Sequence, residues 1–317
     1  LLAMGRLEFW HLLAGTAAMG CAFPAISSAR QAIVANIVGK QRLGNALALS
    51  MGGLNLSRVL GPALAGILIP GIGLVPTYFL GIVLYSVGLL SMFGIKRHPH
   101  PIGNKPGSPL HEIAEGLRYI KNHFPLRATL LIGLLPTCIA FPFQSLLVIF
   151  AEEIWLTGTQ GFGFLQATFG LGGVAATFLV AHRGNSNARQ RIMLFSLSAM
   201  GFFLAGFAYS PSFKLGLVLL FIASFCGNVF LTLNNIVVQL LVDDKVRGRV
   251  SSVLLMSISL TSLGTVPLAS LAVKQGAPFA VATSAVLLLV LTLGCFAASK
   301  TLRNMDHFVK EHMDFTS

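Results

Sequence analysis

Residues 44–66, GNALALSMGGLNLSRVLGPALAG, form an apolar run of helix length that holds one arginine, Arg58, and closes on Gly61-Pro62-Ala63-Leu64-Ala65-Gly66. An arginine in hydrocarbon costs about 2.5–3.5 kcal/mol on insertion scales, so in a bilayer Arg58 is expected to face a polar cavity or a partner. Pro62 frees a backbone carbonyl that a neighbouring helix or water must satisfy. Gly61 and Gly66 let another backbone come close. The stretch therefore reads as a membrane helix that packs tightly and lines something wet.

Working outward, the whole chain shares this character. Of its 317 residues 55% are hydrophobic and 10% charged, with a mean hydropathy of +0.79; a soluble domain carries about 25% charged residues. Apolar runs long enough for ~30 Å of hydrocarbon recur at about 9–37, 44–69, 74–95, 126–150, 161–181, 191–209, 213–241, 249–273 and 277–298. The expected fold class is thus an all-α polytopic membrane protein with nine full transmembrane helices. Residues 1–5, LLAMG, resemble the tail of a further span, and the absence of an initiator methionine predicts an N-terminally truncated chain.

The net charge of +12 would suggest a nucleic-acid partner in a soluble protein, but its distribution excludes that reading. With spans alternating outward from the 96–125 linker, seventeen Lys and Arg fall on the linker side and three, Arg6, Lys214 and Lys274, on the other. The positive-inside rule then places the linker and the C-terminus in the cytoplasm of a plasma-membrane protein. The four cysteines, Cys21, Cys138, Cys226 and Cys295, each stand alone inside a span, without metal-ligand spacing.

Residues 96–109, KRHPHPIGNKPGSP, read as a linker, and Ser108-Pro109 supply a cap and first-turn proline for an amphipathic helix. Leu110, Ile113, Leu117 and Ile120 give its apolar spacing, with Glu112 and Glu115 early and Arg118 and Lys121 late. The expected organisation is a first bundle over 1–95, a cytoplasmic linker over 96–125, a second bundle over 126–298 and a cytoplasmic tail over 299–317. A weak internal repeat at an offset of 204 aligns Val34 with Val238, Val38 with Val242 and Gly44 with Gly248, which favours two duplicated bundles.

Polar residues inside spans are few and selectively placed. Arg30 and Gln31 close the 9–37 span opposite Asn234 and Asn235 in the repeat; Asn55 and Arg58 lie in 44–69, Gln144 in 126–150, Gln166 in 161–181 and Asn228 in 213–241. Spans 74–95 and 277–298 contain no amide or charge, which predicts peripheral, lipid-facing helices. Each amide has two readings: an interhelical hydrogen bond worth about 0.6 kcal/mol, or a substrate contact in a cavity. The candidate substrate-binding set is Arg58, Asn55, Arg30, Gln144, Gln166, Asn228 and Asn234. Gly61, Pro62 and Gly66 form a candidate packing hinge. No span carries a central carboxylate for ion coupling, and the nearest acids, Glu8 and Glu152, lie at span ends. Asp243-Asp244 is followed by Lys245, Arg247 and Arg249 and reads as a turn closed by opposite charges. His98 and His100 lack a third metal ligand, and no phosphate-binding loop is present. No catalytic residue, metal or cofactor is expected.

Two bundles, a linker helix and a Gly-Pro-x-x-x-Gly span together resemble the major facilitator superfamily. Segments 23–49, 54–66, 116–135 and 239–254 resemble, more narrowly, its enterobactin-exporter-like branch of bacterial efflux proteins. The resemblance implies that the chain begins at the end of the third of twelve helices and works as a monomeric secondary transporter driven by a proton or ion gradient. It also implies that residues 61–66 match an element associated with export, with Ala65 standing where that pattern has glycine. An exporter of a siderophore- or drug-like small molecule is the first expectation. An uptake permease of the same fold and a non-transporting membrane partner are the alternatives. A membrane enzyme would need clustered His, Asp or Glu near one membrane face, and none is seen.

Overall fold

The computed structural model describes residues 64–92, 109–183, 189–242 and 260–298, with isolated positions between 8 and 61 and at 246, 250 and 253. The chain divides into two compact units, Leu1–Asn104 and Lys105–Ser317. Every regular element among the described residues is helical.

In the first unit residues 64–72 are helical, and α1 follows as Leu74–Met92. The Thr77 hydroxyl donates to the Gly73 carbonyl at 2.7 Å and secures the start of α1. α1 exposes Tyr78, Phe79, Leu80, Leu84, Tyr85 and Val87 around its circumference. A helix apolar on all sides suits hydrocarbon rather than water.

The second unit contains α2 (Pro109–Asn122), α3 (Phe124–Leu135, prolonged irregularly to Ile154), α4 (Gly158–Arg183), α5 (Arg189–Ala208), α6 (Phe213–Leu240), α7 (Thr261–Gln275) and α8 (Ala277–Ala298). α6 packs between α4 and α5, α8 lies along α5 and α7, and α7 lies against the irregular part of α3. The Ser212 side chain caps α6 by accepting from the Leu215 amide at 3.4 Å. α7 stops at Gly276, whose φ of +89° favours a residue without Cβ, and its amide donates to the Ala272 carbonyl at 2.8 Å.

Six described helices are long and apolar enough to cross a membrane: Leu74–Ser91, Phe124–Ile154, Gly158–Val180, Arg189–Ala208, Phe213–Leu240 and Ala277–Ala298. They correspond to six of the nine expected spans. The expected 249–273 span is described as helix from Thr261 onward. The 9–37 span and most of 44–69 lie outside the described residues.

The expected 126–150 span differs in form. It runs from Phe124 to Ile154 and changes winding four times beyond Leu135: π at Pro136–Ala140, 3-10 at Phe141–Leu146, one α turn at Leu147–Ile149 and π again at Phe150–Ile154. Pro136 and Pro142 lack the amides that would continue an α ladder. The Phe141 amide reaches back to the Pro136 carbonyl, and the Trp155 amide to the Phe150 carbonyl at 2.9 Å. α7 fits against this irregular stretch because Gly264 has no side chain: a Cβ there would collide with the Cys138 carbonyl. Beyond it, Phe143, Phe150, Phe207 and Trp155 form an aromatic knot with ring centroids 4.8–6.1 Å apart.

Candidate functional site

α6 carries the densest polar pattern in the second unit. Ser224, Asn228, Thr232, Asn235 and Gln239 recur at spacings of four, four, three and four, so at 100° per residue they fall within an arc of about 80°. Ser224 is buried, Asn228, Thr232 and Gln239 are half-buried, and Asn235 is exposed. An apolar helix that keeps five hydrogen-bonding side chains in one line presents that line to something polar.

The upper part of the line is tied to α4. The Ser224 hydroxyl donates to the Phe169 carbonyl at 2.5 Å. The Asn228 Nδ2 donates to the Ser224 carbonyl at 2.8 Å and to its hydroxyl at 3.3 Å. Thr232 donates to the Asn228 carbonyl at 2.8 Å. This contact needs glycine on α4: a Cβ at Gly172 would lie 2.8 Å from the Ser224 Cβ and 2.9 Å from backbone atoms of Phe221 and Phe225. A Cβ at Gly173 would lie 3.4 Å from the Asn228 Oδ1.

Phe169 links the three elements that carry Gln144, Gln166 and Asn228. Its ring meets Phe141 and Phe143 edge-on with centroids 6.0 Å away, and half-buried Gln144 follows Phe143 on the 3-10 segment. Half-buried Gln166 lies on α4 three residues before Phe169. Asn228 connects through Ser224.

Asn234 stands apart, about 9 Å further along α6 by helical rise. It is only 3% exposed, and its Oδ1 has no hydrogen-bond partner. Its Nδ2 presses on α3 where a Cβ at Gly133 would be 2.5 Å away.

Gly66 is buried within the first unit, whereas Gly61 is exposed and a Cβ there would meet nothing within 4 Å. Arg30, Asn55, Arg58 and Pro62 lie outside the described residues. Glu8 is exposed and accepts from the Trp10 indole at 2.9 Å; Glu152 is exposed at the end of the α3 span. Among the described residues no cluster of His, Cys, Asp or Glu could hold a metal ion.

Ser224 and Thr232 lie four residues to either side of Asn228, and Gln239 four beyond Asn235, so spacing rather than residue type marks the line. Chemically, the line offers neutral donors and acceptors. The interiors of α4 to α8 hold no charged side chain, the cations of these helices being confined to their ends.

The model of the transmembrane secretion effector family matches residues 1–315. Among curated relatives, the chain is 23% identical over 244 residues to the Staphyloferrin A transporter of Staphylococcus aureus, covering 74% of this chain and 59% of that protein. It is 25% identical over 253 residues to the multidrug efflux pump Tap of Mycolicibacterium fortuitum, covering 77% and 61%. With the Tap pump of Mycobacterium tuberculosis strain H37Rv it shares 26% identity over 208 residues, covering 63% and 48%. The chain thus spans about half to three-fifths of the length of these relatives. In fold it resembles the crystal structure of a bacterial homologue of the human lysosomal transporter Spinster, in an inward-facing and unoccupied conformation. The TM-score is 0.53 at 16% identity, over 89% of this chain and 74% of that one. A match over nearly every residue, a helical fold shared with a transporter and six membrane-length helices agree: this multi-pass membrane protein belongs to the transmembrane secretion effector family of the major facilitator superfamily.

Proposed function

We propose that the chain is the transport body of a secondary-active exporter of a small siderophore- or drug-like molecule, working by alternating access in a bacterial plasma membrane. The observation that carries this reading is the polar line on α6, whose neutral amides and hydroxyls suit transient hydrogen bonds to a passing solute. The efflux pump and siderophore-transporter names of its relatives favour the same substrate classes. In this proposal Gln144, Gln166, Asn228 and Asn234 contribute hydrogen bonds. Arg30, Asn55 and Arg58 supply the polar and cationic contacts of the first unit. Gly61, Pro62 and Gly66 form a backbone hinge, because a proline between glycines bends a helix at little steric cost. A proton or ion gradient drives the cycle, the protein is a monomer, and residues 96–125 and 299–317 are cytoplasmic.

Flux measured in oriented vesicles tests direction. Asn228→Leu combined with Thr232→Val should lower export about tenfold while leaving expression and monodispersity intact, as should Arg58→Ala alone. Parental flux in both variants, or net movement inward, overturns the exporter reading. Single cysteines at Lys105 and Lys310, after removal of the native four, should resist an impermeant thiol reagent in intact cells. Labelling from outside reverses the proposed orientation.

A further inference from the structure

The elbow between α2 and α3 carries basic and apolar residues outside the set proposed for transport. His123 bends the chain there with an extended backbone (φ −108°, ψ 96°), its ring stacked on Tyr119 at 3.9 Å between centroids. Ile120 and Leu126, 8% and 1% exposed, root the elbow in the core of the second unit. On its outer side Leu117, Phe124 and Leu131 are 52%, 54% and 58% exposed. Arg118, Lys121 and Arg127 are exposed among them.

Arg127 is the informative residue. It lies three residues after Phe124 and four before Leu131, on one outward face of a helix whose 31-residue apolar run begins at Phe124. Its guanidinium sits 5.1 Å from the centroid of the Phe124 ring. Arginine on a lipid-facing surface is tolerated near the interface and costly deeper, so its head is held at the level of the phosphates. Arg118 and Lys121, three residues apart on the last turns of α2, add two more exposed cations next to the elbow. Glu115 is half-buried, and among the described residues none of the three cations forms an ion pair with a carboxylate.

We propose that this elbow is a binding site for an anionic phospholipid: the three cations hold the phosphate headgroup, and Leu117, Phe124 and Leu131 lie along the acyl chains. Each basic residue near an anionic surface contributes about fivefold in association, so the site should discriminate phosphatidylglycerol from zwitterionic phosphatidylcholine. The site does not depend on substrate or on direction of transport.

The test is indole quenching in the full chain. Leu117→Trp is placed in vesicles of phosphatidylcholine containing a minor fraction of brominated phosphatidylglycerol or of brominated phosphatidylcholine. Subtracting the parental protein removes Trp10 and Trp155. Quenching should be several-fold stronger with the brominated anionic lipid. The preference should be reduced with Arg127→Gln and vanish in Arg118→Gln/Lys121→Gln/Arg127→Gln. Arg127→Lys should keep it, separating charge from any loss of fold. Equal quenching by the two lipids overturns the proposal, as does a preference that survives the triple variant. Displacement of the lipid by soluble glycerol phosphate would make this a free-anion site and also overturns it.

Discussion

α6 and α8 are both apolar, both long enough to cross a bilayer, and both docked on α5, yet they are built differently. α8 has one buried stripe, Ala277, Ala280, Val281, Ser284, Ala285, Leu288, Thr292 and Phe296. Its other side, with Phe279, Val286, Leu287, Val290 and Leu293, is open. α6 is packed against α4 and α5 and carries a polar line that starts at its contact with α4. Hydrophobicity alone does not separate the two. The position of the amides does: a lipid-facing helix has no use for them, and in the proposed function α6 offers them to the solute.

The largest expected effects lie where each helix meets a glycine. Gly172→Ala would push a Cβ to 2.8–2.9 Å from the Ser224 side chain and two backbone atoms of α6, none of which can move alone. We expect about 3 kcal/mol of destabilisation, the upper end for overpacking, seen as a fall of several degrees in the unfolding midpoint in detergent. On the α8 side, Gly201→Ala would meet the Leu289 Cγ at 2.7 Å and the Ala285 carbonyl at 3.0 Å. The leucine can change rotamer, so about 1–2 kcal/mol is expected. Equal midpoints for the two variants would mean that α6 is held no more rigidly than α8.

How much of this contrast the sequence carries depends on the feature. Length and apolarity mark α1, α4, α5, α6 and α8, because a bilayer imposes a minimum run on any helix that crosses it. Pro136 and Pro142 signal a disturbed α3, but which carbonyls find longer or shorter partners depends on α7 pressing Gly264 onto the Cys138 carbonyl, a contact between residues 126 positions apart. Asn228 and Asn234 look equivalent on paper. Six residues of helix turn them to different sides, so one is tied to Ser224 and the other is sealed against Gly133. Ser224 and Thr232 do not stand out singly, because hydroxyls are common in membrane helices, and only their spacing from Asn228 sets them apart.

Asn234 gives a sharper test of the same contrast. Leucine has nearly the same shape as asparagine and brings no orphaned acceptor, so Asn234→Leu should leave stability unchanged or raise it by about 1 kcal/mol. If Asn234 serves the solute, flux should fall several-fold in the same variant. Unfolding midpoint and vesicle flux, measured together, separate the outcomes. Unchanged flux would make Asn234 a packing residue and confine the polar function of α6 to the line through Asn228.

The smallest effect is expected in α8 at Thr292, which is fully buried and whose hydroxyl also lacks a partner. Unlike Asn234, it lies on a helix without amides, in the stripe that faces the core of the unit. Its burial is therefore a matter of packing, and the hydroxyl is a local cost rather than a contact kept for a solute. Thr292→Val keeps both the shape and the β-branch while removing the orphaned group. Stability should rise by about 1 kcal/mol, the lower end for an unmet buried polar group. For a unit of this size that corresponds to about 2–4 °C in the unfolding midpoint. Flux should remain at the parental value. A loss of flux at unchanged or higher stability would place a functional hydroxyl on α8, and the proposed division between a solute-facing α6 and a structural α8 would fail.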